Sequence, residues 1–213
     1  MTLRISKITI AILATIVSMY PIAYFIFGTK FGLLRSKSDT LLASALYNSG
    51  FYIHIVGGGI ALLTGWPQFN RRLRLTKMRT HRTIGKIYVT CVLLSSLAGI
   101  YIAMYATGGI IASTGFMCLG ATWFTTTLIA YTSVRSGNIN LHQKMMIFSY
   151  AACFAAVTLR IYLPLLTMLF HDFIPAYLLV AWLCWVPNVI VAYFIARKAQ
   201  PWALQQATAS ALR

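Results

Sequence analysis

Six long apolar runs dominate this sequence and limit what the chain can fold into. A helix needs roughly 20 residues to cross a hydrocarbon core of about 30 Å, and each run is long enough. Strands are excluded because the runs lack a two-residue alternation and because open strand edges cannot sit in lipid. The runs predict helices near residues 8–27, 47–69, 84–106, 110–134, 145–169 and 176–196.

The composition excludes a water-soluble domain of this size. Of the 213 residues, 59% are hydrophobic and only 9% are charged, whereas charged residues make up about 25% of a typical soluble domain. So few charged side chains cannot cover the surface of a soluble fold. We therefore predict an all-α fold, an integral membrane bundle of six transmembrane helices. It forms one domain over residues 1–213 and ends in a cytoplasmic tail at residues 199–213.

Positive charge far exceeds negative charge in this chain. There are 18 Lys and Arg but only 2 Asp and Glu, which gives a formal net charge of +16. In a soluble protein this excess would suggest nucleic acid binding, but here the basic residues gather in short segments between the apolar runs. That pattern predicts contact with anionic lipid at the inner face of the membrane and no nucleic acid partner.

The basic residues also predict the orientation of the bundle. With the N-terminus inside, fourteen Lys and Arg residues fall in inner segments and three in outer segments, and Arg160 lies inside the fifth run. Basic residues are enriched in cytoplasmic loops, so both termini are predicted to be cytoplasmic. We expect a multi-pass protein of a cell membrane, of the bacterial plasma or inner membrane type.

Two histidines, His81 and His142, stand at the starts of the third and fifth predicted helices in similar basic surroundings. Their imidazoles are therefore expected near the inner interface at similar depth. Each metal–nitrogen bond is only about 2 Å, so a site with two imidazole ligands needs both histidines at one level. The pair is a candidate for ligating a metal or haem, and the alternative is that both are interfacial anchors beside basic residues.

Ionisable side chains inside a membrane helix are costly, so His54 and Arg160 are also candidates for function. Arg160 follows His142 by 18 positions, or about 27 Å along a helix, which places it in the outer half near the level of His54. We expect Arg160 to bind a carboxylate, a phosphate, a quinone carbonyl or a haem propionate. The alternative is that its guanidinium snorkels to the outer surface.

Small residues follow His54 at helical spacing, at Gly57, Ala61 and Gly65. Such a stripe lets another helix backbone approach closely, which favours plain helix packing. The alternative is that Gly58, one turn after His54, clears space for a flat cofactor.

Three stretches, at residues 54–69, 81–88 and 142–160, carry a family resemblance. Together they resemble the polytopic membrane family known as domain-of-unknown-function 2306 (DUF2306), over roughly residues 50–195. The resemblance implies a multi-helix membrane protein and no settled activity. A looser likeness is to b561-type cytochromes, which have six helices and intramembrane histidine pairs, but the fourth predicted helix of this chain has no histidine.

Three functions are compatible with these residues. The first hypothesis is a redox protein that binds haem b, copper or another metal through His81 and His142 and exchanges electrons with quinone or a redox partner. The second is a carrier or channel for a small anion or lipid-like molecule, with Arg160 as counter-charge and His54 as a titratable partner. The third is an accessory factor for assembly of a membrane complex, and association into a homo-oligomer is compatible with all three.

Overall fold

A computed structural model of the protein describes residues 2–199 and 201, with side chains from residue 8 onward except at residue 30. The described residues form helices and connections and contain no strand, so the all-α prediction is confirmed. The predicted tail at residues 199–213 lies outside the described residues except for Ala199 and Pro201.

Eleven α-helices make up the described bundle. They are α1 (Thr2–Ser18), α2 (Tyr20–Phe27), α3 (Asp39–Leu42), α4 (Ala45–Gly65), α5 (Arg71–Thr76), α6 (Met78–Ala103), α7 (Ile110–Arg135), α8 (Ile139–Cys153), α9 (Ala155–Phe170), α10 (Phe173–Leu183) and α11 (Val186–Lys198). A 3-10 helix at Trp66–Phe69 continues α4.

Five helical segments of the described chain are long and apolar enough to cross a membrane. They are Ile8–Phe27, Ala45–Phe69, Met78–Ala103, Ile139–Phe170 and Phe173–Lys198. The fourth predicted run is also helical, as α7, but it does not reach the same hydropathy because it contains six threonines. Six spans were expected, and length and composition support five.

Three of the predicted helices are interrupted. The first run breaks at Met19, with Pro21 in the first turn of α2, and the last run breaks before Pro187 at the start of α11. Proline lacks a backbone N–H, and it is tolerated in a first turn, where that donor would be unpaired anyway. The fifth run breaks at Phe154, between α8 and α9.

Two helices begin earlier than the apolar runs predict. Helix α6 begins at Met78 rather than near residue 84, and α8 begins at Ile139 rather than near residue 145. The hydropathy of a run marks the part of a helix in lipid, whereas Lys, Arg and Gln extend helices readily into the interface. In α8, the Asn138 side chain accepts a hydrogen bond from the Leu141 backbone N–H at 3.0 Å and caps the start.

The bundle is apolar towards its surroundings and has small or hydroxyl side chains inside. Large side chains such as Ile110 and Met168 are 78% and 72% exposed, whereas Ser95 and Ser149 are fully buried. The buried Ser149 hydroxyl lies 2.7 Å from the hydroxyl of Tyr88, so helices α6 and α8 are joined by a hydrogen bond. This distribution suits a protein whose surface meets lipid.

The small-residue stripe of α4 packs against other helices, as predicted. A Cβ atom at Gly57 would lie 3.1 Å from the Ser95 Cβ of α6, and one at Gly65 would lie 2.5 Å from the Tyr150 ring of α8. The space beside Gly58 is faced by the Ser95 hydroxyl and the Trp123 ring of the protein itself. Helix packing therefore accounts for the glycines.

Candidate functional site

His54 and Ser95 connect α4 to α6 through two hydrogen bonds. The Nδ1 atom of His54 lies 2.9 Å from the carbonyl oxygen of Ser95, and the Ser95 hydroxyl donates to the carbonyl of His54 at 2.7 Å. A carbonyl oxygen can only accept, so the hydrogen bond assigns the proton of His54 to Nδ1. The Nε2 atom then carries a lone pair that can accept a hydrogen bond or ligate a metal.

The sequence of α6 makes room for the His54 ring. A Cβ atom at Gly99 would lie 2.7 Å from the Nδ1 atom of His54, which is closer than two such atoms can approach. Ser95 and Gly99 are one helical turn apart, so they present a small face to the ring. Sequence reasoning missed both residues, although a serine and a glycine at helical spacing in an apolar helix are typical of an inter-helix contact.

Arg160 lies inside the bundle and does not reach an acidic side chain. Its guanidinium donates to the carbonyl of Ala156 at 2.7 Å and sits over the ring of Tyr20, with its central carbon 4.1 Å from the ring centroid. The Nε–H of Arg160 is buried and has no hydrogen bond partner. These contacts orient the guanidinium, and none of its contacts among the described residues is a counter-ion.

The structure brings Arg160 and His54 into one neighbourhood, as the predicted depths required. The charge of Arg160 acts on His54 and also on Tyr24, whose hydroxyl accepts a hydrogen bond from the Leu33 backbone N–H at 3.3 Å. We call the set of Tyr20, Tyr24, His54 and Arg160 the outer cluster. The two tyrosines come from the first run, and sequence reasoning did not assign them to the site.

His81 and His142 also lie near each other, since the charge of His142 acts on the ring of His81. Each is the fourth residue of its helix, α6 or α8. The Nδ1 atom of His142 lies 2.9 Å from the carbonyl oxygen of Ala130, which assigns its proton and leaves Nε2 with a lone pair. The Nδ1 atom of His81 is buried and has no hydrogen bond partner.

Two further residues stand with this histidine pair. The charge of Arg74 acts on both rings, and burial, followed by the nearby charge of Arg71, lowers the pKa of the Arg74 guanidinium. Gln68 is the other residue, since its side chain is almost fully buried and its Oε1 atom would lie 3.7 Å from a Cβ atom at Gly85, one turn after His81. We call Gln68, Arg74, His81 and His142 the inner cluster. From the sequence, Arg74 is one of the fourteen basic residues predicted in inner segments, and nothing distinguishes Gln68.

Neither cluster resembles a preformed metal centre. Within the described part of the chain, no group of three or more His, Cys, Asp or Glu side chains is placed to hold a metal ion. A metal bound by His81 and His142 would therefore need its remaining ligands from a porphyrin, from water or from other residue types.

Comparison with known proteins places the chain in a family without assigning an activity. No curated protein matches the chain, and no solved structure matches it. The looser likeness to b561-type cytochromes therefore has no support. The family described as "Predicted membrane protein (DUF2306)" matches residues 51–196, which include His54, His81, His142 and Arg160. Because this match covers well over half of the chain, the protein belongs to the DUF2306 family of predicted membrane proteins.

Proposed function

We propose that this multi-pass membrane protein binds the anionic head group of a small amphipathic molecule, a carboxylate above all, within its helix bundle. The observation that carries the proposal is the guanidinium of Arg160, which has a buried, unpartnered Nε–H and no counter-ion among its contacts. An uncompensated charge inside a bundle is costly, and a bound anion offsets that cost.

The chemistry of the outer cluster suits a carboxylate. Arginine presents its donors in a planar fork that matches a carboxylate, and charge-assisted hydrogen bonds of this kind are stronger than neutral ones. The Tyr20 ring holds one face of the guanidinium, so its edge stays available to a ligand. His54 adds a titratable ring beside the charge. This arrangement supports a carrier or binding protein for acidic molecules that enter from lipid.

The test uses decanoate and its methyl ester as matched probes for the protein in neutral detergent. Both have the same apolar chain, but only decanoate is charged at pH 8. We expect decanoate to raise the midpoint of thermal unfolding and the ester to have no comparable effect. Equal stabilisation by the two probes would show that the chain, not the charge, is recognised and would overturn the proposal.

A second candidate is the redox protein with haem or copper at His81 and His142. One observation favours it, since a ligating histidine usually donates its other ring N–H to a carbonyl or carboxylate, as His142 does to Ala130. The residues that would hold the group are the two histidines. The measurement is a reduced-minus-oxidised absorption spectrum with metal analysis of the same sample. A haem band or metal lost in His142→Ala would establish this function, and a colourless, metal-free protein from cells supplied with haem and metals would exclude it.

We further propose that α7 is a sixth span and that both termini are cytoplasmic. Because His81 and His142 lie together at the starts of α6 and α8, the chain must return along the whole length of α6 before α8 begins. Helix α7 makes that return, and its 26 residues cover about 39 Å. Its threonines are compatible with lipid because hydroxyls such as that of Thr125 donate to carbonyls of the same helix.

Reporter fusions test this topology. Alkaline phosphatase folds only outside the cytoplasm, so we expect an active fusion at Thr107, after α6, and an inactive one at Gly137, after α7. A green fluorescent protein fused at the same two positions should give the opposite pattern. If both positions report the same side, α7 does not cross the membrane.

A further inference from the structure

The side-chain amide of Gln68 is buried and makes no hydrogen bond within the described part of the chain. Its side chain is only 6% exposed, and neither its Oε1 nor its Nε2 atom has a hydrogen bond partner. A buried polar group without a partner is costly, and nearly all such groups in folded proteins are paired. An amide kept in this position is therefore a candidate for contact with a ligand.

The position of Gln68 directs this amide towards the start of α6. A Cβ atom at Gly85 would lie 3.7 Å from the Oε1 atom of Gln68, and Gly85 is one helical turn after His81. His81 has a buried Nδ1 atom without a partner, and Arg74 has a buried Nε–H without a partner. Gln68, Arg74 and His81 thus each have an unused hydrogen bonding group at the same end of the bundle.

The charge of this neighbourhood selects the class of ligand. Arg74 acts on both His81 and His142, and the connection beside it is strongly basic. The two side-chain carboxylates of the chain stand at the opposite end of the bundle, Asp39 at the start of the short helix α3 and Asp172 between α9 and α10. Cationic surroundings without a carboxylate oppose a bound metal cation and favour an anion.

We propose that the inner cluster binds an oxyanion, specifically a phosphate or the phosphate of an ester. Arg74 supplies charge and an N–H donor, Gln68 supplies amide N–H donors, and His81, whose Nδ1 atom has no partner, can supply a ring N–H. The phosphate comes from a lipid head group or from free phosphate, because the chemistry is the same for both. This site shares no residue with the outer cluster. Phosphate binding at the inner cluster is therefore tested independently of carboxylate binding at the outer cluster.

The test measures the thermal unfolding midpoint of delipidated protein in neutral detergent against three probes. They are inorganic phosphate, dioctanoyl phosphatidylglycerol and, as a zwitterionic control, dioctanoyl phosphatidylcholine. Arg74→Gln removes the half-buried cation, and Arg72→Gln, which changes an exposed arginine of the same helix α5, is the matched control. We expect Arg74→Gln to weaken anion binding about tenfold to a hundredfold and Arg72→Gln to leave it nearly unchanged.

Gln68→Glu is the second variant, and it keeps the size of the side chain while adding a negative charge. If the ligand is an oxyanion, this variant should abolish binding, whereas a metal cation would bind more tightly. Size-exclusion profiles and helix content identify any variant that fails to fold.

The outcomes distinguish a lipid head group from free phosphate, and a phosphate site from diffuse surface charge or a bound metal. Stabilisation by both anionic probes that is lost in Arg74→Gln supports a site open to free phosphate. Stabilisation by phosphatidylglycerol alone, with the same loss, supports a lipid head-group site. Equal responses of the Arg74 and Arg72 variants would overturn the proposal in favour of diffuse surface charge. A metal or haem bound through His81 and His142 would overturn it as well.

Discussion

Replacing Gly65 with alanine is expected to destabilise the bundle by about 1–3 kcal/mol, the usual cost of overpacking a core. The added Cβ would lie 2.5 Å from two carbons of the Tyr150 ring and 2.8 Å from a carbon of the Tyr88 ring. Neither ring can withdraw easily, since both are buried and both hydroxyls are hydrogen bonded, to Leu62 and to Ser149. We expect a lower thermal unfolding midpoint in detergent.

Gly58→Ala is the matched control on the same helix. There the new Cβ would meet the Ser95 hydroxyl at 3.5 Å and the Trp123 ring at 3.9 Å, which are ordinary contacts. Alanine is favoured over glycine within a helix by about 1 kcal/mol, so this variant should be neutral or slightly stabilised. Equal midpoints for the two variants would contradict the close packing of α4 against Tyr150.

Replacing Arg160 with glutamine is expected to weaken decanoate binding about tenfold to a hundredfold, because a charge-assisted hydrogen bond is lost. The fold should survive, since the change removes a charge inside the bundle whose contacts do not neutralise it. Arg160→Lys keeps the charge but not the planar fork, so intermediate binding is expected. The measurement is the decanoate concentration that gives half of the maximal shift in unfolding midpoint.

Arg197 is a matched control because its guanidinium also contacts a tyrosine ring, but on the exposed surface of the protein. Its guanidinium also lies over a tyrosine ring, that of Tyr193, at 5.6 Å, but both residues are exposed. Arg197→Gln should therefore leave decanoate binding unchanged. If Arg160→Gln and Arg197→Gln behave alike, the outer cluster is not the binding site.

The level of each candidate residue could be predicted from the sequence because rise along a helix is fixed. Helices α6 and α8 run in the same direction, so equal distances from their starts place His81 and His142 at one level, and the structure does bring them together. The same arithmetic put Arg160 near the level of His54, where its charge acts on the ring. Depth along the bundle follows from residue spacing alone.

Which side chains of different helices contact each other could not be predicted in the same way. The contacts of Arg160 with Tyr20 and of His54 with Ser95 depend on the rotation of each helix. In a soluble helix an apolar stripe fixes that rotation, but here every face is apolar and exposed leucines and isoleucines look like core residues. The amide of Gln68 was missed for this reason too, since its burial depends on packing against α6.

The sequence by itself determined that the chain is an all-α membrane bundle and that His54 and Arg160 share one level and His81 and His142 another. Run length, charge and helical rise are local properties, and they do not depend on how helices pair. Only the tertiary structure decided where helices break, which side chains meet across helices, and which polar groups are left buried without partners. Those outcomes depend on close packing at glycines such as Gly65 and Gly99, where contact between distant segments selects one arrangement of the bundle.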